Sequence, residues 1–286
     1  VALFAALVLV RRWRPSVVVS VGGYASFAVS AAAVCWRRPV VLVELDAAPG
    51  AAQRLLGRYA TTRCCAFPAG GANVVVTGAP LRAAIAEVDR SHDARDAAKA
   101  AYRPPVDATR AVVVVMTGSL GSARVNAAVA SLARAWRART DRAIVHVTGR
   151  RDYDAFASAS PHEGLDYRVV AFADMSQLWG LCDAAICRAG AITVAELTAL
   201  SIPSILVPLP GAPGDHQTRN AQAVAAAGGA RVLPDDRCTG EALTALLDAM
   251  LVPATLAAMA EAAGTLARRD GAASIADAIV AAQRRS

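Results

Sequence analysis

Residues 184–220 read A-A-I-C-R-A-G-A-I-T-V-A-E-L-T-A-L-S-I-P-S-I-L-V-P-L-P-G-A-P-G-D-H-Q-T-R-N, and their order decides the fold. The apolar run 184–187 has the length and composition of a buried strand. Arg188, Ala189 and Gly190 make a tight turn, and a helix follows with Thr193 near its start and Glu196 a turn or less inside. Ile202-Pro203 ends that helix, and 204–207 is the next buried strand. A strand, a glycine turn and a helix together present free backbone N–H groups and a positive helix end to an anion. A carboxylate one turn inside that helix stands where a ribose can hydrogen-bond to it. Asp215, His216, Gln217 and Asn220 then gather at the entrance of a further helix. On residues alone, this is a candidate site for a sugar nucleotide or another phosphorylated ligand.

Working outward, the same alternation recurs on both sides. A helix over 1–14, a strand over 16–21, a glycine turn at Gly22-Gly23 opening a helix to Trp36, a strand over 40–44, a helix over 49–59 and a strand over 73–77 are expected. The polar stretch 83–105 ends in Pro104-Pro105, and the domain boundary is placed near it. Beyond it come a strand over 111–116, the loop Thr117-Gly118-Ser119-Leu120-Gly121-Ser122, a helix through Trp136, strands over 144–148 and 169–172, and a short helix over 174–181. After residue 220 a short strand over 231–233 and two or three alanine-rich helices finish the chain. The expectation is an α/β protein of two doubly wound halves, 1–107 and 108–286, with parallel sheets facing a cleft.

The 286 residues suffice for two cores, and an Ala- and Val-rich, aromatic-poor composition suits buried parallel strands. Charge is uneven: residues 1–107 carry 13 basic and 7 acidic side chains, the remainder 17 and 16. A basic half suits an anionic partner such as a membrane surface, a pyrophosphate or a nucleic acid. Nucleic acid is disfavoured because the basic residues are not interleaved with aromatics. The six cysteines fit neither a zinc site nor a disulfide framework and read as small core residues of a reducing compartment. The apolar start, 1–10, is too short to span a bilayer, which takes about 20 residues. It lacks an initiator Met, so a lost N-terminus is expected. Arg11, Arg12 and Arg14 beside it favour a membrane-touching face over an ordinary core helix.

Other motifs carry bland readings beside sharp ones. The 118–121 loop either cradles a phosphate or is a plain turn between strand and helix. Asp152-Tyr153-Asp154 matches a metal-dependent D-x-D pattern, but a solvated surface is expected. His92 and His162 read as surface residues and His146 as a satisfied core histidine. Glu196 is a ribose acceptor or a carboxylate at a helix start; His216 and Gln217 bind sugar hydroxyls or cap a helix.

Taken as one series, G-G-Y-A-S (22–26), T-G-A-P-L-R (77–82), T-G-S-L-G-S-A-R-V-N (117–126), H-V-T-G (146–149), A-D-M (173–175), C-R-A-G-A-I-T-V-A-E-L (187–197) and D-H-Q-T-R-N-A (215–221) resemble the MurG family. These are bacterial transferases that move N-acetylglucosamine from UDP-N-acetylglucosamine to lipid I, forming lipid II for peptidoglycan. The resemblance runs through essentially the whole chain. It implies the GT-B architecture, an N-terminal half for the undecaprenyl-linked acceptor that touches the cytoplasmic face of the plasma membrane as a peripheral protein, and a C-terminal half for the UDP-sugar. It further implies an inverting single displacement with no metal and no cofactor. By matching position, Glu196 would hold the ribose hydroxyls, Ser119 and the Gly190 helix start would face the diphosphate, and Arg82 would reach toward it from the other half. Phe172 would present backbone groups to uracil, and His216 and Gln217 would contact the N-acetylglucosamine hydroxyls.

The family's N-terminal glycine-rich loop, with the His regarded as the base, has no counterpart here, so no catalytic base is assigned and the chain by itself is expected not to turn over. Val43-Glu44-Leu45-Asp46 stands where the family usually has H-E-x-N, Thr117-Gly118-Ser119 where it has G-G-S, and Ala79 at the Asn of N-P-V-R. Two rivals stay open: a GT-B transferase for another lipid or a small-molecule acceptor, and a non-catalytic protein that binds a UDP-sugar or a membrane partner.

Overall fold

Valine-rich runs form the centre of each half of the molecule. The computed structural model describes residues 1–118, 121–157 and 163–284. The chain opens with α1 (Ala2–Trp13), β1 (Val18–Ser20), α2 (Tyr24–Cys35), β2 (Val40–Glu44), α3 (Ala51–Leu56), β3 (Thr62–Cys65) and β4 (Val74–Val76). These strands make one parallel sheet in the order β1-β2-β3-β4. Strand β3 is an addition to the elements read from the sequence. Its Arg63 lies in a bidentate pair with Glu44 of β2, Nε to Oε1 and Nη2 to Oε2 both at 3.0 Å. Two charges that cancel inside the sheet disguise an otherwise β-forming run. The helix expected over 49–59 is α3 followed by a 3-10 turn, Gly57–Tyr59.

The polar stretch 83–105 is also structured. It holds α4 (Ala83–Ala86) and α5 (His92–Ala101), the latter capped by Ser91. Helix α5 brings Lys99 and Arg95 to Asp183, at 3.3 and 3.0 Å. Lys99 is buried and also donates to the carbonyls of Ala108 and Arg110. Ile85 and Val106 join the apolar core of the second half.

That half contains β5 (Ala111–Met116), α6 (Ala123–Ala135), β6 (Arg142–Val147), α7 (Tyr153–Phe156), β7 (Asp166–Val170), α8 (Met175–Leu181), β8 (Ala184–Cys187), α9 (Ala191–Ala199), β9 (Ser204–Leu206), α10 (His216–Ala227), β10 (Ala230–Val232), α11 (Gly240–Met250), α12 (Pro253–Gly264) and α13 (Gly271–Gln283). Its strands are all parallel, in the order β10-β9-β8-β5-β6-β7. Val112 to Val115 and Ala184 to Ile186 are fully buried between helical layers, as a sheet covered on both faces requires. The strand order reverses between β5 and β8, and ligands of doubly wound sheets bind beyond the strand ends at such a point.

The alanine-rich tail does not stay with the second half. Helix α13 returns to the first sheet, where Ile275, Ile279 and Ala282 cover Val41, Val43 and Cys64. Gly271, at its start, approaches the 77–82 loop so closely that a Cβ would lie 2.3 Å from the Ala79 carbonyl oxygen. Of the six free cysteines five are buried, but Cys35, expected in a core, is exposed at the end of α2. Two parallel Rossmann-like sheets, linked by α4, α5 and α13, make the GT-B architecture implied by the resemblance.

Candidate functional site

At the switch point two turns meet. The turn after β8 places Gly190 at the N-cap of α9, in extended backbone and with no side-chain cap. Nothing lies within 4 Å of the position a Cβ would take there, so the positive helix end is open. Arg188 braces this turn. It donates to Ser122 Oγ at 2.6 Å and to the carbonyls of Val207 and Pro208, and it pairs with Asp235 at 2.7 Å. The second turn follows β5, and the start of α6 beyond it is held by a buried polar network. Asn126 Nδ2 donates to the Thr148 carbonyl and to Asp152 Oδ2, both at 3.0 Å, so Asn126 Oδ1 is the acceptor for His146 Nε2 at 3.0 Å. His146 Nδ1 then accepts from the Tyr167 hydroxyl at 2.9 Å. Burial pushes the His146 pKa down to about 4, so the ring is neutral, as a satisfied core histidine should be.

Asp152 therefore is not the solvated surface residue read from the D-x-D pattern. Its carboxylate anchors Asn126 and Arg151, which hold its pKa below the usual range, while Asp154 is exposed. Gly121 is required beside it: its φ is +76°, and a Cβ would meet the Thr148 carbonyl oxygen at 2.5 Å. Ser119 and His162 lie outside the described residues. His92 is exposed and pairs with Asp96 at 3.2 Å.

Glu196 sits on α9, 5 % exposed. Its Oε2 accepts from Trp179 Nε1 at 2.9 Å, and its Oε1 stands 3.8 Å from Arg82 Nη2. Burial raises its pKa, opposed by the Trp179 hydrogen bond and the Arg82 charge. Arg82 comes from the T-G-A-P-L-R loop of the first half and is mostly exposed, so the pair bridges the halves. Phe172 is exposed on the loop after β7, with the Arg150 guanidinium 5.7 Å from its ring centroid.

His216 and Gln217 open α10. Gln217 Oε1 accepts from the Leu209 amide at 3.0 Å, which ties the helix start to the loop after β9. His216 lines a cleft of about 410 Å³ between the halves, with Gly23, Tyr24, Asp46, Arg54 and Arg219. At the floor of this region Asn220, fully buried, clasps three segments. Its Oδ1 accepts from the Ala47 amide at 2.7 Å; its Nδ2 donates to Asp46 Oδ1 at 2.9 Å and to the Ala189 carbonyl at 3.1 Å. The sequence marks Asn220, Ala189 and Asp46 separately but not their contact, since Asp46 and Ala47 lie more than 170 residues from Asn220 along the chain. Trp179 is likewise missed, because a tryptophan in an apolar run reads as core.

The C-terminal domain of glycosyltransferase family 28 matches residues 112–278. A UDP-N-acetylglucosamine–N-acetylmuramyl-(pentapeptide) pyrophosphoryl-undecaprenol N-acetylglucosamine transferase of Alkalilimnicola ehrlichii is 39 % identical over 284 residues, covering 96 % of this chain and 76 % of the relative. A transferase of the same name from Salinibacter ruber is 37 % identical over 286 residues, covering 96 % and 75 %. The crystal structure of Acinetobacter baumannii MurG superposes with a TM-score of 0.80 at 26 % identity, covering 98 % of this chain and 78 % of that one. Family match, relatives and superposition agree with the site geometry, and the chain belongs to the MurG family of N-acetylglucosamine transferases.

Proposed function

We propose that this chain binds UDP-N-acetylglucosamine at the switch point of its second sheet, and that the sugar passes from there to the muramyl residue of lipid I, giving lipid II, when a base that this chain is not assigned is supplied. The observation that carries this reading is the juxtaposition of an open helix start at Gly190 with a Glu196–Arg82 pair that bridges the two halves. The diphosphate takes the uncapped N–H groups of α9, and the ribose takes the Glu196 carboxylate. Phe172 offers backbone groups to the uracil, and His216 and Gln217 meet the sugar hydroxyls. Ser119, by the family resemblance alone, would add its hydroxyl to the diphosphate. In one displacement the acceptor hydroxyl gives up its proton to a general base, a role assigned to no residue of this chain, its oxygen bonds to the anomeric carbon, the bond to the UDP oxygen breaks with inversion, and the electron pair leaves with UDP. The charge developing on UDP is stabilised by the α9 dipole and by Arg82, both in place beforehand.

The acceptor enters the cleft lined by Tyr24, Asp46, Arg54 and Arg219; residues 1–107 serve the acceptor and 108–286 the donor, with α13 of the latter reaching back to cover the first sheet. Helix α1 exposes Phe4, Val8 and Trp13 beside Arg11, Arg12 and Arg14, a surface suited to the anionic cytoplasmic face of the plasma membrane. Among the described residues no single helix is long and apolar enough to cross a membrane.

Calorimetric titration with UDP-N-acetylglucosamine, with ADP-glucose as a control, tests the donor reading. Binding that is selective for the uridine nucleotide and weakens about tenfold or more in Glu196→Ala is expected. Equal affinity in parent and variant would remove Glu196 from the site.

A further inference from the structure

We infer that Trp179 is a positioning residue for nucleotide recognition: its indole N–H fixes the Glu196 carboxylate in the one orientation that leaves a single oxygen for the ribose. The inference rests on the reading of Glu196 as the ribose acceptor and adds a residue that no motif marks. Trp179 is fully buried, yet its Nε1 donates to Glu196 Oε2 at 2.9 Å across the gap between α8 and α9. An indole nitrogen only donates, so Oε2 must face it as an acceptor, as a carboxylate oxygen or as the carbonyl oxygen of the acid. With Oε2 held, Oε1 is the oxygen turned toward Arg82 and the opening between the halves.

Trp179 is itself held at three points. Its ring packs in the core of the second half with Leu178, Leu181 and Leu197. Its carbonyl accepts from Arg90 Nη1 at 2.7 Å, and α5 packs against α8, with Ala98 at ordinary contact distance from a Cβ placed on Gly180. The segment that links the halves thus fixes α8, α8 fixes the indole, and the indole fixes the carboxylate. Burial disfavours the charged form of Glu196, and the hydrogen bond from Trp179 is the leading force against it. Without the indole, the side chain loses both its orientation and the main support for its charge.

The test compares UDP with 2′-deoxy-UDP by calorimetry on the parent chain, Trp179→Phe and Glu196→Ala, each first shown to be folded by its thermal unfolding transition. The parent is expected to prefer UDP by about tenfold, the worth of one hydrogen bond to a charged group. Trp179→Phe should bind UDP about tenfold more weakly and 2′-deoxy-UDP nearly as well as the parent, so that the preference collapses. A role confined to packing would weaken both ligands alike, and a preference kept within about twofold in Trp179→Phe overturns the inference. If Glu196→Ala keeps the preference, the ribose reading itself has failed, a separate outcome. Should Trp179→Phe not fold, indole 15N–1H spectra of the parent and Glu196→Gln decide. UDP is expected to shift one buried indole signal that Glu196→Gln also displaces. If no buried signal responds to both, the inference falls.

Discussion

Replacing Asn220 by alanine removes a clasp, and the structure sets what that costs. The side chain is fully buried and makes three hydrogen bonds, to the Ala47 amide, to Asp46 Oδ1 and to the Ala189 carbonyl. The two neutral bonds contribute about 1 kcal/mol each and the bond to the carboxylate about 1.5–3, so the sum is about 3–5 kcal/mol if the halves stay docked. That is a large part of the roughly 5–15 kcal/mol by which a folded protein is stable. If the halves part instead, Asp46 and Ala47 recover water as a partner, and only the Ala189 bond, about 1 kcal/mol, is lost outright. Urea unfolding measures the energy, and small-angle scattering tells the two cases apart. The expected result is a loss of about 3–5 kcal/mol at unchanged radius of gyration, or a smaller loss with an enlarged radius. A loss below about 1 kcal/mol at unchanged radius would refute the clasp.

Glu196→Gln should stabilise the unliganded chain at neutral pH while weakening UDP. The folded pKa of Glu196 is raised, so its contribution to stability is full below the ordinary carboxylate range and is lost as pH rises through the raised value. The neutral variant escapes that loss: its urea midpoint should exceed the parent's near pH 7 and match it near about pH 4, and no gain near pH 7 would count against the burial argument. Cosedimentation with phosphatidylglycerol vesicles should fall at least about tenfold when Phe4 and Trp13 are both changed to serine, since each buried aromatic contributes about 1.5–3 kcal/mol. Undiminished binding would show that α1 does not enter the lipid.

Much of the fold was legible where a strand is a pure apolar run or a glycine turn stands at its end. β2 of the first sheet and β5 of the second fall on the residues expected, and α9 starts where the Gly190 turn ends, whereas β6 and β7, which carry Arg142, Asp166 and Arg168, begin earlier than expected. Strand β3 was not legible, because the Arg63–Glu44 pair places charge where a buried strand should show none. Helix α5 was hidden because its inward face is built from alanine, Lys99 and Arg95, which read as a solvated linker. In the site, the residues of the ordered motifs and Asp46 were visible, but the contacts of Asn220 with Asp46 and Ala47, and of Trp179 with Glu196, are made only by folding. The solvated-surface reading of D-x-D holds at Asp154 and departs at Asp152 for a related reason: a three-residue pattern says nothing of a buried partner such as Asn126.

Helix α13 bears on how this kind of enzyme can exchange parts. Its sequence belongs to the end of the second half, but its apolar face covers the first sheet at Val41, Val43 and Cys64. A hybrid joined by one cut in the linker would give the first sheet a cover that evolved against a different surface, or none at all. New acceptor specificities built by recombination therefore need two crossovers, one in the linker and one before Gly271, so that the closing helix travels with the sheet it protects.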